Sequence, residues 1–376
     1  MTPQLLFYLS VGVLVYAYLA YPLIIMVWAR VRPRPVATAD ELRPVSVVIA
    51  ARNEEQAISK RIENLLEQEY PEDLIEVIVV SDGSTDRTAE VARGHAGQRV
   101  RIIERPKPAG KAVALNLGVE AARHEIVVFA DARQRFAPDA LRALVAPFHD
   151  QDVGAVTGEL ILLERNQAVQ EKHAIGFYWR YEKLIRVSES AVASVVGVTG
   201  AIYAVRRELF RPLKPHTVLD DLLVPMYIVL GGHRVVFTRN ARAYDFVSSD
   251  LKKEFKRKVR TLAGNYQAMR LFPRLFNPLK NPLFVQFLSH KLARLIAPFC
   301  CVVAVVTSAT VPSAFFRIAF GLQIAFYCLA VLSFTPLKCT KLGVLFRIPA
   351  TFTVLNLAAL FGLWVYLTRH ESQIWK

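Results

Sequence analysis

The chain has 376 residues, with 47 lysines and arginines against 32 aspartates and glutamates, a formal net charge of +15, and 53% hydrophobic residues. That apolar share exceeds what a soluble enzyme of this size carries and points to a membrane protein with a sizeable folded part. The basic excess fits nucleic acid, anionic lipid or a phosphorylated substrate, and its position along the chain has to decide among them.

Leu5 to Ala29 is apolar and uncharged until Arg30, about long enough to cross a bilayer of roughly 30 Å. Because Arg30, Arg32 and Arg34 follow this run rather than precede it, a spanning helix is read in preference to a cleavable leader, and the next segment is expected on the cytoplasmic side. After a Pro-rich linker, Val45 to Ala50 reads as a buried strand, Asn53 as a helix N-cap, and Ile58, Ile62, Leu65 and Leu66 keep helical spacing until Pro71 stops it. The pattern then repeats: strand 75 to 80, helix from Asp86, strand 100 to 104, helix Lys111 to Ala122, strand 126 to 130, helix from Pro138. This alternation defines an α/β fold with a mainly parallel sheet and helices on both faces.

From Val153 the alternation loosens. A short strand at 153 to 157 is followed by an aromatic helical segment around Phe177 to Tyr181 and a small-residue stretch at 195 to 201. Leu219, Asp220 and Asp221 open another helix that ends near Gly231 and Gly232, and Val235 to Phe237 reads as one more strand. Leu251, Phe255, Val259, Leu262, Tyr266 and Met269 recur at helical spacing amid lysines and arginines, which suits a helix lying on the membrane interface. Apolar stretches at about 292 to 311, 314 to 334 and 348 to 368 are each about long enough to span. Lys338, Lys341 and Arg347, between the last two, place that loop inside with the α/β part. The four cysteines have no metal-ligand spacing, so neither a zinc site nor a disulfide framework is read.

The chemistry concentrates at the ends of these strands, where open α/β sheets bind ligands. V-I-V-V-S-D-G-S-T-D, residues 77 to 86, is a buried run that stops at an Asp-Gly loop and delivers Asp82 and Asp86 to a cleft, with Gly83 allowing a tight turn and Thr85 or Asp86 able to cap the next helix. Three further acidic motifs fall at comparable places: A-R-N-E-E at 51 to 55, F-A-D-A-R at 129 to 133 and L-D-D-L-L at 219 to 223. Between them lies G-K-A-V-A-L-N at 110 to 116, which lacks the spacing of a Walker loop but offers Lys111 as a point charge for phosphate, the plainer reading being an exposed helix residue.

In this order the motifs resemble family 2 inverting glycosyltransferases of the GT-A fold, a Rossmann-like sheet, here with transmembrane helices. The likeness is to membrane-embedded synthases of cellulose, hyaluronan and chitooligosaccharide, and it covers roughly residues 44 to 265. It implies a nucleotide-sugar donor, a glycan or lipid acceptor and membrane lipids as partners, with no need of nucleic acid. Four segments follow from it: 1–43 a spanning helix and linker, 44–250 a cytoplasmic GT-A domain, 251–290 amphipathic interface helices and 291–376 three spanning helices.

By the resemblance, Glu54, Asp82, Lys111, Asp131 and Arg133 line the donor site, and Asp221, last in the family's Thr-Glu-Asp motif, is the catalytic base. Gly200, Asp220, Arg257 and Arg260 fall on the acceptor or phosphate side. A carboxylate in reach of a sugar hydroxyl can take its proton as it attacks the anomeric carbon, which inverts configuration. The plainer reading is that Asp220 and Asp221 cap their helix.

Two departures stand out. The family's Asp-x-Asp is Asp131-Ala132-Arg133 here, so Asp131 is the remaining ligand for Mg²⁺ or Mn²⁺ and a guanidinium replaces the other, which leaves metal dependence open. The family's Gln-x-x-Arg-Trp is Arg257-Lys258-Val259-Arg260-Thr261, a change that leaves processive synthesis open and resembles ceramide-type transferases that add one sugar to a lipid. A nucleotide-binding regulatory module with a degenerate site is the alternative from another class. A transporter would need ionisable residues within the spans, which these stretches nearly lack.

Overall fold

The computed structural model describes residues 2–163, 177–246, 251–333 and 343–369. Among them eight strands form one sheet: β1 (Val45–Ala51), β2 (Ile75–Asp82), β3 (Val100–Arg105), β4 (Ile126–Ala130), β5 (Arg135–Phe136), β6 (Val153–Leu163), β7 (Ile202–Arg206) and β8 (Arg234–Phe246). Their spatial order is β3-β2-β1-β4-β7-β6-β8-β5. The run from β3 to β4 is parallel. Its strands are Val/Ile-rich because helices cover both faces: Val47, Ile49, Val77 and Val79 enter one core, and Val48, Ile78 and Val80 the other.

Beyond β4 the sheet becomes mixed. β7 runs antiparallel to both β4 and β6, while β6 and β8 pair in parallel. β7 is absent from the sequence reading because I-Y-A-V-R is short and follows a small-residue stretch. β6 and β8 also extend well past the expected 153–157 and 235–237. Their second halves pair Glu159 through Leu163 with Arg242 through Phe246; R-A-Y-D-F of β8 shows no apolar run, whereas L-I-L-L at 160–163 of β6 does and extends the strand.

Asn53 is not a helix cap, a correction to the sequence reading. It sits at a φ of +55°, and the helix Ile58–Leu66 begins after Ala57. The Asn53 carboxamide instead accepts the Thr85 N–H at 2.8 Å, joining the loop after β1 to the loop after β2. Asp86 takes the Thr88 N–H at 3.0 Å, at the first turn of the helix Thr88–Arg93.

Four helices are long and apolar enough to cross a membrane: Pro3–Val31, Phe284–Thr310, Ala314–Leu332 and Phe346–Thr368. The second begins ahead of the stretch expected from residue 292 and so takes in His290 and Lys291. Both the first and second spans contain a π-helical turn, at Tyr16–Ala20 and Phe287–Leu292. The Tyr16 hydroxyl and Ser289 Oγ join these two turns at 2.6 Å. Lys338 and Lys341, used to orient the last loop, lie outside the described residues.

The helix Leu251–Leu271 packs on the fourth span. Phe255 meets Phe361 edge-on with centroids 5.9 Å apart, and Tyr266 stacks on Tyr366. A Cβ on Gly362 would stand 2.9 Å from Leu262 Cβ. Part of the apolar stripe expected to face lipid is therefore covered by protein.

Candidate active site

The sheet brings the motifs to one rim. Parallel pairing aligns the carboxyl ends of β1, β2 and β4, and the register Ala130 with Ile202 starts the antiparallel β7 there too. Asp131 thus follows β4 at the end where β7 begins, and Gly200 lies two residues before β7. This reversal is what admits a second half of the chain to the cleft.

Asp82 ends β2 with its side chain buried. Its carboxylate accepts the Ala109 N–H at 2.9 Å and the Gly110 N–H at 2.7 Å, and Arg105 stands 3.4 Å away. These bonds brace the turn that launches the helix Lys111–Ala121. Gly83 has a φ of +61°, and a Cβ there would collide with the Pro108 backbone, so the close approach of the two loops requires glycine.

Lys111 is no exposed helix residue. Its ammonium lies 3.0 Å from Asp131 Oδ1 and 3.4 Å from Asp220 Oδ2. Burial opposes its charge, but Asp131, Asp220 and Asp221 together hold it charged well above the ordinary lysine range. The Tyr203 hydroxyl, on β7, reaches Asp220 at 3.5 Å from a ring stacked on Phe129. Burial and Asp220 push that phenol well above its usual range.

Asp220 and Asp221 occupy the first turn of the helix Asp220–Leu230, and neither caps it through its side chain. The capping reading is therefore corrected: Asp220 turns to Lys111 and Tyr203. Asp221 is half-buried beside Gly200, where an added Cβ would lie 3.5 Å from Asp221 Cβ and 3.8 Å from Lys111 Nζ. Burial, and then the neighbouring Asp220, raise the Asp221 carboxyl to about 6 against the pull of Lys111, Lys291 and Arg186. A carboxylate so tuned is a proton acceptor near neutral pH.

Arg133 pairs with Glu54, its Nε donating to both carboxylate oxygens at 2.9 and 2.8 Å. The hydrogen bond to Glu54 raises the guanidinium further. Asp131 is already engaged by Lys111, and among the described residues no group of three or more His, Cys, Asp or Glu is placed to hold a metal ion. Asp131 is the carboxylate that would hold a divalent ion here together with donor phosphates, and no step below is routed through one.

From the opposite side the helix Leu251–Leu271 closes on the site. Gly264 allows this: a Cβ there would stand 2.7 Å from Leu219 Cγ. Gln267 Oε1 accepts the Val218 N–H at 2.9 Å. Arg260 on this helix is lowered by burial and by Arg257, against the pull of Asp131, Asp220 and Asp221. Arg257 is turned to Glu254, 3.1 Å away.

Two residues near Asp221 were missed at the sequence level. Lys291, in the π-helical turn of the second span, stands where a Cβ on Gly197 would lie 3.7 Å from its Nζ and 3.4 Å from the Asp221 carbonyl oxygen. Arg186, on the helix Phe177–Val192, donates to Thr199 Oγ1 at 2.8 Å. An ionisable residue at the start of a span is the available signal for Lys291, which lies one residue before the apolar stretch expected from 292. Nothing in its local pattern marked Arg186.

A half-parallel sheet reversed at one strand, with acids converging on its rim and spanning helices alongside, is the architecture of a membrane-associated GT-A protein. A mannosyltransferase, PcManGT from Pyrobaculum calidifontis, solved with GDP-Man and Mn²⁺, superposes with a TM-score of 0.72 at 23% identity over 96% of this chain and 99% of that one. Residues 46–212 match the glycosyl transferase family 2 model, so the chain carries a family 2 glycosyltransferase domain. It is 25% identical over 264 residues to a poly-beta-1,6-N-acetyl-D-glucosamine synthase of Staphylococcus aureus, covering 67% of this chain and 62% of that protein. It is also 36% identical over 137 residues to a beta-monoglucosyldiacylglycerol synthase of Nostoc, covering 35% of this chain and 29% of that protein. The chain thus spans under two thirds of the length of these curated relatives.

Proposed function

We propose that the protein is an inverting glycosyltransferase that moves a sugar from a nucleoside-diphosphate donor, a UDP-sugar by the family resemblance, to a glycan or lipid hydroxyl at the cytoplasmic membrane face. The observation that carries this reading is the convergence of Asp131, Lys111, Asp220 and Asp221 at one rim of the sheet beside the second span. Asp221 takes the proton of the attacking hydroxyl, the oxygen bonds to the anomeric carbon, and the diphosphate departs from the opposite face with the bonding electrons. Negative charge growing on that leaving group needs a preorganised cation. Lys111, Arg133 and Arg260 supply candidates, and a guanidinium can grip phosphate oxygens in a fork.

Assay of the full chain in membranes against a panel of nucleotide sugars, following nucleoside-diphosphate release and sorting labelled product into glycan and lipid extracts, tests this reading. Absence of transfer from every donor overturns it. Single-sugar transfer to a lipid is the second reading. It is favoured by Arg257 and Thr261 standing where Gln and Trp are found in processive synthases, and by the stretch shared with the Nostoc protein.

A further inference from the structure

Most charges at the junction of sheet and spans are matched. Glu182 and Glu189, on the helix Phe177–Val192, hold His290 of the second span between them at 3.0 and 2.8 Å. Arg294 also pairs with Glu182, and the Tyr21 hydroxyl of the first span donates to Glu189 at 2.6 Å. This network fixes the second span and the helix Phe177–Val192 relative to one another, and with them the residues between.

Two cations there act on Asp221 but form no close ion pair among the described residues. Arg186 lies four residues after Glu182, on the same helical face, but Glu182 is committed to His290 and Arg294. Among the described residues Arg186 has Thr199 Oγ1 as its side-chain partner and no carboxylate within ion-pair distance. Lys291 has neither an ion pair nor a side-chain hydrogen bond among the described residues, although it is half-buried at the start of a spanning helix. Its ammonium is held against the Gly197 turn, next to the helix that carries Asp221. Asp221, Glu182 and Glu189 favour its charge from beyond ion-pair distance, and a bound anion would give the half-buried ammonium a direct partner.

Lys111 pairs with Asp131 and Asp220, on the rim that the strand ends form. Arg186 and Lys291 instead belong to the helix Phe177–Val192 and to the second candidate span. Both cations pull on the Asp221 carboxyl, so an anion paired with them would bind in the surroundings of that base.

We infer that Arg186 and Lys291 form an acceptor subsite for the phosphate of a membrane lipid whose headgroup carries the hydroxyl to be glycosylated. This rests on the transferase reading above and specifies its acceptor. The chemistry is unchanged: Asp221 takes the hydroxyl proton, and the lipid phosphate is bound without reacting.

The test uses the full chain in mixed micelles of phosphatidylcholine and phosphatidylglycerol, with retained phosphatidylglycerol counted by native mass spectrometry. Lys291→Gln and Arg186→Gln should each reduce retention about tenfold, the scale of one charge-assisted hydrogen bond. Lys291→Arg, which keeps the charge, should retain the lipid and covers the case in which the glutamine variant fails to fold. Unchanged retention in both glutamine variants would overturn the subsite. Displacement by inorganic phosphate as effective as by phosphatidylglycerol would overturn the lipid assignment in favour of a soluble phosphorylated acceptor. Nucleoside-diphosphate binding on the same samples keeps the two readings apart: its loss in the unsubstituted protein counts against the transferase reading, whereas lipid retention reports on the subsite alone.

Discussion

Arg133 Nε reaches both carboxylate oxygens of Glu54, at 2.9 and 2.8 Å, across the loops that follow β4 and β1. A cation thus occupies the loop position where the family carries its second acid, and it is held by a residue the resemblance assigns to the donor. The Arg133 side chain is 69% exposed, so the pair adds little to stability, on the order of 0 to 1 kcal/mol.

Arg133→Ala should therefore leave the melting temperature nearly unchanged while weakening donor use. If Arg133 meets the diphosphate, activity should persist in excess chelator, and Arg133→Asp should gain dependence on added Mn²⁺. Complete loss of activity in chelator, with Arg133→Ala indifferent, would show that a metal serves and the arginine does not.

Asp221→Asn should lower transfer by about 10²- to 10⁴-fold, the usual scale for loss of a general base, with nucleoside-diphosphate affinity retained. The variant should be at least as stable as the parent at neutral pH. The folded carboxyl titrates near 6, above the ordinary 3.8, so the folded state binds the extra proton between those values. Stability contributed by this group is then highest at low pH and falls as pH rises through about 6. Equilibrium unfolding across that window, with the asparagine variant showing the flatter profile, checks the sign.

The same carboxyl sets a limb in the rate profile. A base must be deprotonated, so transfer should fall as pH drops below about 6. Lys111 pulls that value down, and Lys111→Gln should shift the limb to higher pH in whatever activity remains. It should also destabilise the fold by about 3 kcal/mol, since it strips the counter-charge from Asp131 and Asp220. A limb that stays in place would show that Lys111 does not act on the base.

Gly264→Val tests the helix Leu251–Leu271 as a support for the site. The new side chain would press on Val218 and Leu219, immediately before the two acids. Overpacking of this kind costs about 1 to 3 kcal/mol. Transfer should fall further than stability alone explains, because the displaced turn carries Asp220 and Asp221. Donor kinetics and thermal unfolding on the same preparation separate the two effects.

Much of the fold was legible in the chain because the first half obeys local rules. Runs such as V-I-V-V at 77 to 80 are buried on both faces by their own composition, and the alternation with amphipathic helices dictates parallel pairing. Each acid of the candidate site also announced itself at a strand end or helix start: Glu54, Asp82, Asp131, Asp220 and Asp221. The four apolar helices were legible for the same reason, since length and hydropathy are local properties.

Tertiary structure decided what local pattern does not encode. β7 owes its place to pairing with β4 and β6, not to its five residues, and that pairing brings the turn before β7 to the end of β4. Lys111 looks like any helix lysine until Asp131 and Asp220 are folded around it from distant segments. Asn53 has a cap's sequence context, yet the neighbouring loop supplied a better donor in Thr85. Lys291 and Arg186 are 105 positions apart by their numbers and act on the same Asp221 carboxyl because the second span and the helix Phe177–Val192 are locked by Glu182, Glu189 and His290. Charge pairing at a distance is a property of the folded field, whereas periodicity is a property of the chain.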